Sequence, residues 1–136
     1  MNVKKGAVAL AVMVATTGGV AVSTGSAAQA ATPNCSRQIT NIVYYPAASD
    51  GAWRCGLKYG NNNAAVSTLQ LTLNYCYKEN LDVDGDFGSR TQAALKRAQA
   101  TVGVSADGEY GPITAGHLKF VYVNGGCMTL AQAGIS

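Results

Sequence analysis

Closely spaced acidic side chains are the residues of this chain best suited to chemistry. Asp82, Asp84 and Asp86 stand at alternating positions, like the first ligands of an EF-hand calcium loop. That loop also needs glycine at its sixth position and glutamate at its twelfth, where this chain has Phe87 and Ala93. The spacing therefore argues against calcium, and we expect no metal site.

A pair of carboxylates is the second arrangement that could do chemistry. Asp86 and Glu109 could serve as the acid and base of a glycoside hydrolase, which needs two carboxyl groups in different environments. The two residues stand in matching sequence contexts, so their environments should be alike. Both also precede predicted helices, where the helix dipole favours the charged carboxylate. We therefore expect no catalytic pair.

Nucleophilic and cofactor chemistry have little support. His117 is the only histidine, and no serine stands in a G-x-S-x-G frame. We interpret His117 as a partly exposed helix residue. The chain is accordingly expected to have no catalytic residues and no cofactor, and not to be an enzyme.

The matching contexts are two copies of one phrase. Residues 84–95 read DGDFGSRTQAAL and align without a gap with residues 107–118, DGEYGPITAGHL. An aspartate followed by glycine predicts a tight turn, and a helix should follow it. The copies are expected to share one shape and to act as scaffold through Asp84, Gly85, Phe87, Gly88 and Thr91 in the first and Asp107, Gly108, Gly111, Pro112 and Thr114 in the second.

Apolar periodicity predicts three helices around these turns. The first begins after Asn62 or Asn63, ends within 77–80, and has one face formed by Val66, Leu69, Leu73 and Cys76. The second is stopped by Gly103 and has a face formed by Thr91, Leu95, Ala98 and Val102. The third begins at Pro112 and has a face formed by Thr114, Leu118 and Val121.

The segment before the first helix has weaker patterning. Its β-branched and aromatic stretch QITNIVYY favours a short extended segment. PAASDGAW, which contains Pro46, and YGNNN are predicted to be loops.

The first residues have the order of a secretory signal peptide. Two lysines precede an uncharged apolar stretch, and small residues ending in Ala-Gln-Ala at 28–30 follow it. We expect residues 1–31 to be a cleaved signal peptide, 32–62 an N-terminal extension with loops, 63–127 the folded domain and 128–136 a tail. Without Lys4 and Lys5 the formal charge falls from +3 to +1, so no nucleic-acid surface and, after cleavage, no membrane contact is expected.

All four cysteines follow the signal peptide: Cys35, Cys55, Cys76 and Cys127. An even number in a small exported domain predicts two disulfides. The spacings are too wide for the close pairs that zinc sites use. Sequence leaves three pairings open, and the one we favour joins Cys55 to Cys76 and Cys35 to Cys127.

With helices and turns in place, residues 64–118 resemble the peptidoglycan-binding domain of bacterial cell-wall hydrolases, the type called PG_binding_1. The residues that fit its first pattern, V-x-x-L-Q-x-x-L, are Val66, Leu69, Gln70 and Leu73. Those that fit D-G-x-F-G-x-x-T-x-x-A-[VL] are Asp84, Gly85, Phe87, Gly88, Thr91, Ala94 and Leu95. Gln99 stands at the family's glutamine, and the last pattern is met by Asp107, Gly108, Tyr110, Gly111, Pro112 and Thr114. The chain departs from the family at Ala98, where a phenylalanine is usual, and in its cysteines and N-terminal region.

The resemblance implies a mainly α fold, a small three-helix bundle that here carries an N-terminal extension of loops and short strands and is stapled by disulfides. It also implies a noncatalytic module that docks on the bacterial wall polymer. The expected product is a secreted protein, extracellular or associated with the cell wall. Its expected partners are peptidoglycan, through glycan strand or stem peptide, and a separate wall hydrolase, with the protein itself a monomer.

Five residues are candidates for ligand binding. Arg90, near the start of the second helix, could hold a peptide carboxylate. Asp86, Tyr110 and Gln70 are candidates nearby, and Trp53 could stack on a sugar. Each has a structural alternative: Arg90 as a solvated helix residue, Tyr110 as core, Gln70 as a helix-surface group and Trp53 packed beside Cys55.

Two other functions remain open at this point. A small secreted inhibitor or partner-binding protein could use the loops around Tyr44, Tyr45 and Trp53, with the helices only as scaffold. A small wall-lytic hydrolase is the third interpretation.

Overall fold

The computed structural model describes residues 30–136, and within them Thr32–Ser136 forms one compact unit. The predicted signal peptide lies, apart from its last two residues, outside the described part of the chain. Over residues 30–136, no helix has both the length and the apolar character needed to cross a membrane.

The first helix, α1, spans Ala64–Tyr77. Asn63 caps its start, because its side-chain oxygen accepts from the N–H groups of Ala65 and Val66 at 2.9 and 3.2 Å. Lys78 ends it in the left-handed region, with φ 61°. The predicted apolar face is buried at Val66, Leu69 and Leu73 and half-buried at Cys76.

The second helix, α2, spans Ser89–Val102 and ends at Gly103, as predicted. The third, α3, spans only Pro112–His117. The prediction that Leu118 and Val121 continue its face is wrong, since Leu118 is extended and a strand follows it. The alternation of buried Leu118, exposed Lys119 and buried Phe120 is the period of a strand.

In the described part of the chain, four short strands accompany the helices in two antiparallel sheets. Strand β1, Arg37–Thr40, pairs with β2, Tyr44–Ala47, and β3, Lys119–Val121, pairs with β4, Cys127–Thr129. The first hairpin includes the predicted extended segment, but the loop prediction fails at Pro46, which lies in β2 opposite Gln38. The three helices found over residues 30–136 and the two disulfides agree with the predicted fold class, whereas mainly α describes it only in part because of these strands.

The core draws on both the helices and the residues that precede them. Val43, Tyr45, Ala47 and Leu57 are buried in one cluster with the apolar faces of α1 and α2. A bridge between Val43 and Tyr122 joins the two hairpins. The segment before α1 is therefore packed into the core of the compact unit.

The disulfides join Cys35 to Cys55 and Cys76 to Cys127. The pairing predicted from the sequence is wrong. Each bridge instead links segments that other contacts already hold together. Cys35 and Cys55 flank backbone hydrogen bonds between 33–35 and 56, while Tyr75 and Tyr77, on either side of Cys76, accept from Gly126 N and Lys119 N of the second hairpin.

Candidate functional site

The repeated phrase forms two turns of the same conformation, which we call the first corner, residues 84–88, and the second corner, residues 107–111. Gly85 and Gly108 have φ of 81° and 77°, a region that favours glycine. In both corners the aspartate Oδ1 accepts the N–H two residues later at 2.9 Å, from Asp86 in the first and Glu109 in the second. The repeat in sequence is therefore a repeat in backbone shape.

A buried glutamine of α1 holds the first corner. The side-chain Nε2 of Gln70 donates to Asp84 Oδ1, to the Asp86 carbonyl and to Thr91 Oγ1 at 2.9, 3.0 and 3.1 Å. Its Oε1 accepts the N–H of Gly85 at 3.0 Å. The interpretation of Gln70 as a helix-surface group is wrong, because it is 1% exposed and its carboxamide is fully engaged.

Gln99 of α2 holds the second corner in the same way. Its Nε2 donates to Asp107 Oδ1, the Glu109 carbonyl and Thr114 Oγ1 at 2.9, 2.9 and 3.0 Å. Its Oε1 accepts the N–H of Gly108 at 2.9 Å. Each corner is thus fixed by the helix before it and opens the helix after it.

The aromatic residues of the corners belong to the core. Phe87 and Tyr110 are 2% and 1% exposed, and the Tyr110 ring meets Phe120 edge to face at 6.4 Å between centroids. Burial raises the pKa of Tyr110 far above its usual range. Among residues 30–136 the Tyr110 hydroxyl has no hydrogen-bond partner, so the residue acts through packing and through its backbone.

A groove of about 210 Å³ lies at the first corner. Its polar lining includes Asp82, Asp86 and Arg90. The Arg90 guanidinium is 3.5 Å from Asp82 and donates to the Asn80 carbonyl at 3.1 Å, and its side chain is 70% exposed. The N–H of Asp86, the amide of Gln70 and, more weakly, Arg90 hold the pKa of Asp84 below its ordinary value, so this groove carries negative charge beside one exposed cation.

A larger groove of about 360 Å³ lies at the second corner. Its corner side includes Asp107, Glu109 and Ile113, and its other side comes from the segment before α1, including Asn34 and Lys58. The carboxylates of the two corners therefore line two separate grooves and do not converge.

The five predicted ligand residues fall into three places. Gln70, Asp86 and Arg90 are together at the first groove, with Gln70 buried beneath it. Tyr110 lines the second groove. Trp53 is half-buried and lines neither, and the Arg54 guanidinium lies 4.7 Å from its ring centroid.

Residues suited to metal or proton chemistry are dispersed. Within residues 30–136, no group of three or more His, Cys, Asp or Glu side chains could hold a metal ion. His117 is exposed at the end of α3, where its Nδ1 lies 2.9 Å from the Ile113 carbonyl oxygen.

Residues 62–118 match the family described as "Putative peptidoglycan binding domain". The matched segment includes α1, α2, α3 and both corners, and the match relates it to the bacterial cell wall. The residues that resembled the family in sequence form the corners and their glutamine contacts, together with part of the buried core of α1 and α2.

Two solved structures are similar to parts of the chain. An endolysin of Burkholderia phage AP3 is 42% identical over 43% of this chain and 22% of its own, with a TM-score of 0.42. A peptidoglycan-binding protein from Clostridioides difficile, in complex with glutamine hydroxamate, is 31% identical over 52% of this chain and 42% of its own, with a TM-score of 0.46. The chain thus spans less than half the length of either protein. No curated protein matches it.

The sequence prediction missed two features of the corners and grooves. The glutamines are not equivalent in the gapless alignment, because the aspartate of the corner follows Gln70 by 14 residues and Gln99 by 8. Lys58 of the second groove lies before the repeat altogether. Searching for a glutamine at a variable distance before each Asp-Gly pair would have found the first feature.

Proposed function

We propose that this chain is a secreted, noncatalytic protein that binds bacterial peptidoglycan. The match of residues 62–118 to a peptidoglycan-binding domain carries the proposal. The scaffold role of both corners and the separation of their carboxylates support a binding role rather than glycoside hydrolysis, which most often uses two carboxyl groups flanking one bond.

The first groove is the proposed contact with the wall. Its Arg90 extends from the first turn of a 14-residue helix, near N–H groups without partners inside the helix. A carboxylate of a stem peptide would offer Arg90 a shorter, charge-assisted hydrogen bond in place of its 3.5 Å contact with Asp82. Asp86, exposed at the same groove and held by the Asn62 amide, would select for ligand groups that donate hydrogen bonds.

Sedimentation with insoluble wall tests this function. Protein recovered from the medium of cells expressing the full chain should lack the first 31 or so residues by mass and should pellet with purified peptidoglycan. Arg90→Ala should weaken pelleting about three- to tenfold, the range expected for losing one charged contact at a partly exposed site. Arg37→Ala is the matched control, since Arg37 is exposed on β1 and lines neither groove.

The outcomes separate the competing functions. Protein that stays in solution with every wall preparation contradicts wall binding and favours the secreted partner-binding protein. A fall in turbidity of the wall suspension contradicts a noncatalytic role. Equal pelleting of Arg90→Ala and the unsubstituted protein removes the first groove from the binding surface.

A further inference from the structure

One side of the larger groove is formed by residues that lie outside the family match. Asn34, Gly56 and Lys58 precede residue 62, where the match begins, and they face the second corner across the groove. The groove is therefore a feature of this chain's own N-terminal segment together with the shared module.

This side of the groove, which contains Asn34, Gly56 and Lys58, is fixed in place. The Cys35–Cys55 disulfide joins its two chain segments, and Gly56 N–H donates to the Pro33 carbonyl at 2.8 Å. Leu57 and Tyr110 exchange two backbone hydrogen bonds of 2.8 Å, which attach this side to the second corner. Because both sides are held by covalent and backbone contacts, the groove needs little ordering when a ligand binds.

The chemistry of the groove differs from that of the first groove in a defined way. Ile113 occupies the repeat position of Arg90 and is 72% exposed, so the corner itself supplies an apolar surface. The cation comes instead from Lys58 on the side outside the family match, and its ammonium makes no salt bridge within residues 30–136. Asp107 and Glu109 provide negative charge on the opposite side.

We propose that this groove binds a short peptide that carries a free carboxylate, an ammonium group and small aliphatic side chains. The Lys58 ammonium pairs with the carboxylate, Asp107 and Glu109 with the ammonium, and Ile113 contacts the aliphatic groups. The volume of about 360 Å³ lies within the range of small-ligand sites, about 300–1,000 Å³. On the proposed function, such a peptide is the stem peptide of the wall, which makes the second groove a peptide site that acts beside the first.

A soluble peptide tests this site independently of the wall. The probe is synthetic L-Ala-γ-D-Glu-L-Lys-D-Ala-D-Ala with free termini, and its Kd at this groove is measured from amide NMR shifts of the ¹⁵N-labelled protein. The peptide should shift the amides of Lys58, Tyr110 and Ile113. Lys58→Glu should raise the Kd roughly tenfold, and Lys58→Arg should leave it within about threefold.

Two controls distinguish a site-specific effect from a change in net charge. Lys119→Glu makes the same charge change on β3, outside the groove, and should leave the Kd unchanged. The same peptide with its C-terminus amidated should bind the unsubstituted protein more weakly than the free peptide does, since it has lost one carboxylate that the Lys58 ammonium could pair with.

The results separate this proposal from the proposed function. Wall pelleting without peptide shifts at this groove overturns the peptide site and leaves wall binding intact. Peptide binding that Lys58→Glu and Lys119→Glu weaken equally also overturns it, since the effect is then long-range charge. Peptide binding at the groove without wall pelleting supports the site and contradicts the proposed function.

Discussion

A buried glutamine is the residue that gives each corner its shape. A neutral carboxamide offers both a donor and an acceptor, and each corner presents both an N–H group and several oxygens to it. In Gln70 all of these groups are used at 2.9–3.1 Å. Glutamate would lose the donors and would bring a second negative charge beside the corner aspartate.

Replacing either glutamine by leucine should destabilise the fold by about 2–4 kcal/mol, because the buried N–H of Gly85 or Gly108 loses its acceptor while volume is kept. Urea unfolding followed by circular dichroism measures the change. Gln92→Leu on α2 is the control, since no hydrogen bond joins the Gln92 side chain to a corner within residues 30–136, and it should change stability by less than about 0.5 kcal/mol. A loss at Gln70 or Gln99 no larger than the loss at Gln92 would contradict the role assigned to them.

Asp84 gives the protein a defined response to acid. The N–H of Asp86 and the amide of Gln70 stabilise the charged carboxylate, so its pKa in the folded protein lies below its ordinary value of 3.8. The unfolded chain then binds this proton more readily than the folded chain, and the stabilisation is complete above pH 3.8 and lost as pH falls through the folded pKa.

The unfolding free energy should therefore decline as pH falls below about 4, and it should decline less in Asp84→Asn, which keeps Oδ1 but carries no charge. Urea unfolding of both proteins between about pH 2 and pH 6 measures the two slopes. Parallel curves would show that Asp84 does not contribute to the acid response.

At the scale of elements, the two corners depend on a backbone conformation that only glycine adopts readily. Gly85→Ala and Gly108→Ala should each cost about 1–2 kcal/mol, since both residues have positive φ. A Cβ at Gly85 would also lie 3.3 Å from the Asn63 carbonyl oxygen, and one at Gly108 would lie 2.7 Å from the flexible Gln92 side chain.

Gly88→Ala is the matched control for these changes. Gly88 belongs to the same corner but has φ −97°, and a Cβ there would meet nothing within 4 Å. Thermal unfolding should place Gly88→Ala close to the unsubstituted protein and both other variants below it. A similar loss in all three would mean that φ is not the cause.

The sequence predicted the elements where local signals and tertiary packing agree. Asn63, the apolar face of α1 and Gly103 mark helix ends and burial through short-range chemistry, and the structure has them as predicted. The prediction makes the third helix too long because Thr114, Leu118 and Val121 fit a helical period, although the alternation at 118–120 also fits a strand. Only the pairing of β3 with β4 decides between the two.

The site was less predictable than the helices. The corner repeat is local in sequence, so its shape followed from Asp-Gly and the helix start. The grooves depend on which distant segment covers each corner, and no local pattern places Lys58 opposite Glu109. The pairing of four cysteines has the same difficulty, since it depends on the packing of the N-terminal segment and the second hairpin.

At the scale of the whole molecule, the two disulfides close loops of different length. Their sequence separations are 20 and 51 residues. In the chain-entropy model this predicts about 3 kcal/mol for Cys35–Cys55 and about 4 kcal/mol for Cys76–Cys127. Both are large fractions of the stability of a domain of this size, about 5–15 kcal/mol.

Replacing both cysteines of a bridge by serine should lower the melting temperature. The fall should be larger for Cys76→Ser with Cys127→Ser than for Cys35→Ser with Cys55→Ser. Calorimetry of both variants beside the oxidised protein measures the difference. The first pair also holds a wall of the second groove, so its loss should weaken peptide binding there as well. A more stable Cys76→Ser, Cys127→Ser protein would show that strain or residual structure outweighs loop length.

Each glutamine holds the turn that follows its own helix, so the two contacts run in one direction along the chain. Gln70 on α1 holds the turn that starts α2, and Gln99 on α2 holds the turn that starts α3, so the same contact is made twice along the chain, as between the units of a tandem array. The six residues of α3 contain no glutamine, and the chain leaves the helix for a hairpin fastened back to α1. That hairpin therefore ends the series of turn-and-helix units. Replacing it by a longer third helix that carries a glutamine is the change that would let a further unit pack after α3.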